Sequence, residues 1–235
     1  PIKSLAHLLK NIPPARLFEE SLKLLQSGYG VKTYRLLRQY GLFEPLFPLL
    51  TPYFTEYEDS MTEKMILRAL TSTDERVADK LPINPAFLFA AFFWYPLRER
   101  VEVLKNEGGL NNYDAYALAS NDVLEQLCKS LAVPRRHTAV IREIWLLQLQ
   151  FLKRTQKSVQ RAIEQAKFRA GFDLLVMRAE IEGGEAVELA AWWHEYQFSN
   201  ESQRQDLVKE LPSQPKKRKY HRRKRHHSAK KVSHE

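Results

Sequence analysis

Residues 11–50 read N-I-P-P-A-R-L-F-E-E-S-L-K-L-L-Q-S-G-Y-G-V-K-T-Y-R-L-L-R-Q-Y-G-L-F-E-P-L-F-P-L-L, and their reading decides the fold class. Pro13 and Pro14 fit a helix start, because a proline in the first turn gives up an N–H that has no intrahelical partner anyway. Apolar Leu17, Leu24 and Leu25 recur at helical spacing with Phe18 and Leu22 beside them, and Glu19 stands four residues before Lys23. Gly28 ends that helix. A second runs from about Val31 to Tyr40 with Tyr34, Leu36 and Leu37 inward, and Gly41 supplies a left-handed stop that glycine adopts without a Cβ clash. So short a link predicts two antiparallel helices. Phe43 to Phe54 holds three prolines and three phenylalanines with a tyrosine, which forbid both a continuous helix and a floppy linker and so predict a packed corner.

Outward from this stretch the apolar spacing stays helical and strand alternation is nearly absent, with only 8 glycines in 235 residues. The expected fold is all-α, an elongated multi-helix body followed by a disordered basic C-terminal tail. Helices are expected over about Ser60–Lys80, with Met61, Met65, Ile66, Leu67 and Leu70 as the apolar face, and from Phe87 to about Lys105 with a kink or break at Pro96. Others are expected over about Tyr113–Leu131 (apolar through Tyr116, Leu118, Val123, Leu124 and Leu127), Arg135–Lys153 (through Ile141, Ile144, Trp145, Leu149 and Leu152), Ser158–Ile181 and Glu185–Phe198. These divide into a neck hairpin with its aromatic corner (1–55), a helical body (56–198) and a polar, then basic, tail (199–235), whose last part has too little to bury to fold alone. The apolar run Pro85–Leu97 is shorter than the roughly 20 residues of a membrane-spanning helix and predicts a buried helix. A single cysteine, Cys128, excludes an intramolecular disulfide and suits a reducing compartment, where it reads as a small buried hydrophobe.

The net charge of +9 is unevenly placed. Residues 216–235 hold ten Lys and Arg (Lys216, Lys217, Arg218, Lys219, Arg222, Arg223, Lys224, Arg225, Lys230, Lys231) against Glu235 alone. Within the rest, residues 3–38 hold 7 cations against 2 acids and residues 129–169 hold 10 against 2, while 44–125 hold 7 against 14 and 170–215 hold 3 against 9. The internal basic block comprises Lys129, Arg135, Arg136, Arg142, Lys153, Arg154, Lys157, Arg161, Lys167 and Arg169; it reads either as a polyanion-binding face or as a solvated face balancing the acidic regions. Ten cations with almost no acid between them repel one another unless a polyanion is near, so the tail reads as a nucleic-acid contact with Tyr220 able to stack on a base; a nuclear-import signal has the same composition.

No catalytic constellation accompanies these charges. Phosphoryl or nucleotidyl transfer needs carboxylates holding a divalent metal beside a phosphate cradle, and the chain has no Asp-x-Asp pair and no G-x-x-x-x-G-K-[ST]. Gly28-Tyr29-Gly30 follows no strand and reads as a helix cap. Asp173 and Glu180 share a helix face as solvated acids do, His7, His137 and His194 stand alone, and no His or Cys spacing supports zinc. No catalytic, metal or cofactor-binding residue is therefore assigned.

The opening motif, with N-P-A-F-L-F-A-A-F-F-W-Y-P-L (84–97), N-D-V-L (121–124), K-F-R-A-G-F-D-L-L (167–175) and the Arg/Lys-rich end, resembles the region just after the catalytic head of bacterial poly(A) polymerases, members of the tRNA-nucleotidyltransferase-like polymerases. The resemblance covers essentially the whole chain. It implies a template-independent enzyme that adds adenylates from ATP to RNA 3′ ends with magnesium, with its catalytic aspartates and nucleotide motif in a head preceding Pro1. No residue here matches those catalytic positions, so the resemblance implies an RNA-binding body, inactive alone, whose partners are RNA 3′ ends and that head, in the cytoplasm. Arg16 and Glu20 match the family's neck helix, where they read as hydrogen-bonding braces rather than ATP contacts. On this reading Leu5, Leu8, Leu9 and Ile12 stay partly exposed on the joint. The alternatives are a helical adaptor that docks a protein through its acidic regions, or a structural nucleic-acid-binding protein without an enzymatic parent.

Overall fold

The computed structural model describes residues 2–209 and 211, and every regular element among them is helical. In chain order, α1 (Ile2–Leu5) leads into a 3-10 segment (Ala6–Asn11), α2 (Pro14–Leu25) and α3 (Gly30–Gln39) form the opening pair, and α4 (Phe43–Leu46) with a second 3-10 segment (Pro48–Tyr53) makes the corner. Then come α5 (Met61–Ala78), α6 (Pro85–Phe92), α7 (Trp94–Asn106), α8 (Asn112–Ser130), α9 (Arg135–Phe151), α10 (Gln156–Ile163), α11 (Phe168–Glu182), α12 (Gly184–Phe198) and α13 (Glu201–Lys209). The all-α reading holds.

Two hydrophobic cores meet along α9. The larger takes Leu17, Phe18, Leu25 and Tyr34 from the opening pair, Phe43, Phe47 and Leu50 from the corner, Leu88 to Trp94, and Ile141, Ile144 and Trp145 from α9. The corner is keyed in by rings: Phe47 lies 6.2, 6.0 and 6.3 Å from Phe89, Phe92 and Phe93. The smaller core takes Leu147 and Phe151 from the far end of α9 with Val159, Ala162, Phe168, Phe172, Leu175, Trp193 and Tyr196. Gly171 lets α11 close on α9, since a Cβ there would stand 2.7 Å from Leu147 Cδ1.

Several buried polar groups are matched across long sequence distances. The Arg178 guanidinium donates to both carboxylate oxygens of Glu182 at 3.0 and 2.9 Å and to Gln148 Oε1 at 3.1 Å, and it lies 4.5 Å over the Trp94 ring. Trp94 Nε1 donates to the same Glu182 at 3.1 Å. The indole N–H of Trp145 reaches Ala90 O at 2.9 Å and that of Trp193 reaches Phe151 O at 3.0 Å, as buried indoles require.

Several helix ends follow from local chemistry. Ser60, Asn84, Asn111 and Thr155 cap their helices through side-chain oxygens. Gly41 (φ +67°) closes α3 as expected, with Leu42 N–H on Leu37 O and Gly41 N–H on Arg38 O. The equivalent left-handed position after α5 is Lys80 (φ 56°), where the bonds Leu81 N–H to Arg76 O and Lys80 N–H to Val77 O repeat the motif. A side chain in that region costs about 1 kcal/mol, so Lys80→Gly raises stability by about 0.5–1 kcal/mol, measurable as a higher denaturant midpoint at unchanged slope.

The structure departs from the sequence expectations at several points. The aromatic helix breaks at Phe93, and Pro96 is the third residue of α7, where its missing N–H leaves no bond unmade. The helix expected over 158–181 is two, α10 and α11. Ala162 and Phe168 are six residues apart, which puts their apolar faces about two-thirds of a turn out of phase. Leu24, Leu36, Met61, Leu118 and Leu152 face solvent, between 40% and 55% exposed. Cys128 is half-buried, and burial pushes its thiol up. Residues after Ser199 hold a further helix, α13, which lays Leu207 and Val208 on the smaller core; the tail from residue 212, with its proposed disorder, lies outside the described residues.

Candidate nucleic-acid interface

The basic block is organised by α9, whose 17 residues make a rod of about 25 Å. Arg135 and Arg136 stand at its N-terminal end. Lys153 and Arg154 follow its C-terminal end, so the block does not form one patch. Arg142, between them, is tied to α8 by a 2.7 Å bond from Nη2 to Asn121 Oδ1, and Lys129 pairs with Glu125 at 3.1 Å. At the first end Arg136 Nε donates to His137 Nε2 at 3.3 Å, with the imidazole 5.8 Å from Phe18. Burial and the Arg136 charge both hold His137 below its ordinary pKa.

The other end gathers more cations, because α10 and the start of α11 fold back on it. Thr155 and Ser158 form a capping box that turns the chain into α10, Gln148 Nε2 donates to Gly171 O at 2.8 Å, and Phe151 packs on Phe168 and Trp193 at 5.8 and 4.9 Å. Two open hollows flank α10. One, of about 340 Å³, is lined by Gln150, Lys153, Lys157, Arg161 and Gln165. The other, of about 660 Å³, lies towards α13 and takes Lys157, Arg161, Tyr196, Glu201 and Arg204. Lys157 and Arg161 border both.

Within this group the side chains of Lys153, Lys157, Arg161 and Lys167 make no hydrogen bond or ion pair among the described residues. Arg154 lies 5.5 Å over the Trp192 ring. Arg169 is engaged, paired with Asp173 at 2.9 Å. Burial pushes the Asp173 carboxyl up despite that partner, and Glu180 holds Arg68 through two bonds of 2.5 and 3.2 Å. Both acids therefore serve ion pairs, and among the described residues no group of three His, Cys, Asp or Glu could hold a metal ion. Lys216, Lys217, Arg218, Lys219, Arg222, Arg223, Lys224 and Arg225 lie outside the described residues.

Sequence reasoning did not single out Arg204, which holds α13 in place by donating to Tyr196 O and Gln197 O at 3.0 and 3.1 Å. It also left the first basic segment unused, although the excess of 7 cations over 2 acids in residues 3–38 was the signal. There Lys3, Lys10, Arg16 and Lys32 are exposed, with no side-chain partner among the described residues. Glu20 pairs with Lys23 at 2.9 Å rather than with Arg16. The glycine turn before α3 is a cap: Asp74 Oδ1 and Oδ2 accept from the N–H groups of Gly30 and Val31 at 2.7 and 3.1 Å, so the chain's own carboxylate fills the position a phosphate would take.

Fold and surface together define a helical module, all-α among the described residues, that carries solvent-facing cations around α10. Residues 108–227 match the family described as the polymerase A arginine-rich C-terminus, and residues 1–54 match the one described as the probable RNA and SrmB-binding site of polymerase A. The chain belongs to the poly(A) polymerase family. It is 73% identical over 228 residues to poly(A) polymerase I of Haemophilus influenzae, covering 96% of this chain and 50% of that protein. To the poly(A) polymerase I of Escherichia coli it is 51% identical over 226 residues (96% and 49%), and to that of Salmonella typhi 52% over 216 residues (92% and 46%). The chain thus spans about half the length of these curated relatives. No described helix is long and apolar enough to cross a membrane.

Proposed function

We propose that this chain is the RNA-holding portion of a polynucleotide adenylyltransferase, which adds AMP from ATP to RNA 3′ ends once joined to a catalytic head that binds ATP and magnesium, and that the chain is inactive alone. The observation that carries the reading is the unpaired set Lys153, Lys157, Arg161 and Lys167 around α10. Ammonium and guanidinium groups bind phosphates mainly by releasing counterions, which gives affinity with little sequence preference. A non-templated polymerase needs such a grip, because base-edge contacts would oppose strand advance. Arg135, Arg136 and the basic tail extend the same chemistry. Leu5, Leu8 and Ile12, at 55%, 44% and 37% exposed, form an uncovered apolar row that supports a joint with the head; the adaptor reading draws on the same row. A cytoplasmic location agrees with this reading.

The test is to replace Lys157 and Arg161 together by glutamine and titrate single-stranded oligo(A) at two salt concentrations. Affinity is expected to fall about tenfold, and the slope of log affinity against log salt to flatten by about 1.4, two phosphate contacts at about 0.7 each. Unchanged affinity and slope would refute the α10 grip.

A further inference from the structure

We propose that the outward side of α3 is a stacking platform for the bases of single-stranded RNA, with Tyr29 and Tyr40 as its rings and Lys32 as the adjoining phosphate contact. The inference rests on the RNA reading above and adds where bases, rather than phosphates, are held. Tyr29 is 70% exposed, Leu36 44% and Tyr40 36%. Tyr29 and Tyr40 are the N- and C-cap residues of α3, and at 3.6 residues per turn their backbone positions and that of Leu36 fall within about 40° of one line along the helix, with the two caps about 16 Å apart. A surface helix normally turns its polar side outward; α3 turns out Leu36 and is flanked by an exposed tyrosine at each cap.

Neither ring packs on another ring, and neither hydroxyl is hydrogen-bonded among the described residues. The helix's own charge has one sign, since Gly30–Gln39 contains Lys32, Arg35 and Arg38 and no acid, while the acids that face it (Asp74, Glu58, Glu44 and Glu63) come from other elements. Arg35 is held by Glu58 at 3.2 Å, and Arg38 by Glu44 and Glu63 at 3.4 and 3.5 Å, which leaves Lys32 as the unpaired cation of the helix.

The platform is also rigid. Asp74 fixes the first turn, Tyr34 is wholly buried on the opposite side, and the left-handed Gly41 fixes the exit. Rigid exposed aromatics beside a cation are what sequence-tolerant single-strand binding uses, because every base presents a π-face. The hollows at α10 cannot supply this, since Tyr196 there is 5% exposed and stacked on Trp192 at 5.3 Å. Phosphates at α10 and bases at α3 then divide the work.

The experiment compares this chain with Tyr29→Ala, Tyr40→Ala and the double variant. Each is titrated with oligo(A) and with an abasic phosphodiester oligomer of the same length and charge, with circular dichroism confirming the fold. The wild type is expected to prefer oligo(A), and each substitution to remove about tenfold of that preference. The double variant then binds both oligomers alike, with its affinity for the abasic oligomer unchanged. Equal wild-type affinity for the two oligomers, or a preference that survives in the double variant, would overturn the platform while leaving the α10 grip standing. No binding of either oligomer would overturn both.

Discussion

Arg178→Ala is expected to lower the unfolding free energy by about 3–5 kcal/mol, a drop in Tm of about 10 °C for a chain of this size. The guanidinium is the only cation bonded to Glu182 among the described residues, and it also satisfies Gln148 Oε1 and covers the Trp94 ring. Its removal leaves a partly buried carboxylate with the Trp94 indole N–H. Charge alone does not replace it, because lysine cannot make the two-pronged bond while lying flat on an indole; Arg178→Lys should recover less than half of the loss.

The pH dependence gives an independent check. Burial alone would raise the Glu182 carboxyl, but the bonds and charge of Arg178, with the Trp94 N–H and the Arg98 charge, take it below its ordinary value of 4.5. A depressed carboxylate contributes stability that is present above its unfolded pKa and lost as pH falls through the folded one. Without Arg178, burial dominates and raises the carboxyl, so protonation favours the folded variant. The stability gap between wild type and Arg178→Ala should therefore narrow as pH falls from about 7 to about 4. A gap that stays constant or widens would show that Glu182 is not the group left uncompensated.

The second large effect is expected at Gly171, where Gly171→Val should cost about 3 kcal/mol. A Cβ there would meet Leu147 Cδ1 at 2.7 Å and Leu147 Cβ at 3.0 Å, so rotation of the leucine alone does not make room. Valine also forces α11 away from α9 at the carbonyl that Gln148 holds. The damage should be coupled to Leu147: in a double-mutant cycle, Leu147→Ala in the Gly171→Val background should cost at least 1 kcal/mol less than it does alone. Additive costs in equilibrium denaturation would count against steric contact as the cause.

The helices were legible in the sequence because their apolar spacing repeats over many residues, and the end of α3 because Gly41 takes a left-handed stop that glycine adopts freely. Pro96 misled because the same residue that kinks a helix interior also suits a first turn, and only the break at Phe93 distinguishes the two. Leu36 and Leu24 misled because an apolar residue on a helix names no side until the neighbouring helices are in place. Long-range pairs left no local trace: Asp74 meets the α3 N-terminus across 44 residues and Glu182 meets Trp94 across 88. For the proposed interface, charge counting named a basic block but not its division. That division depends on the length of α9 and on the return of α10 and α11, and Arg204 was hidden within a segment where acids outnumber bases.

Asp74 has a consequence beyond holding two helices together. Backbone N–H groups at a helix start make an anion seat of fixed geometry, and a phosphate lodged in one is registered to a single position. Here the chain has plugged that seat with its own carboxylate, directly beside the α3 platform. On the proposed reading, an RNA strand lying over α3 would find there a lysine and flat rings, none of which counts nucleotides. Such a surface is a slipway rather than a clamp, suited to a polymer whose end must keep moving.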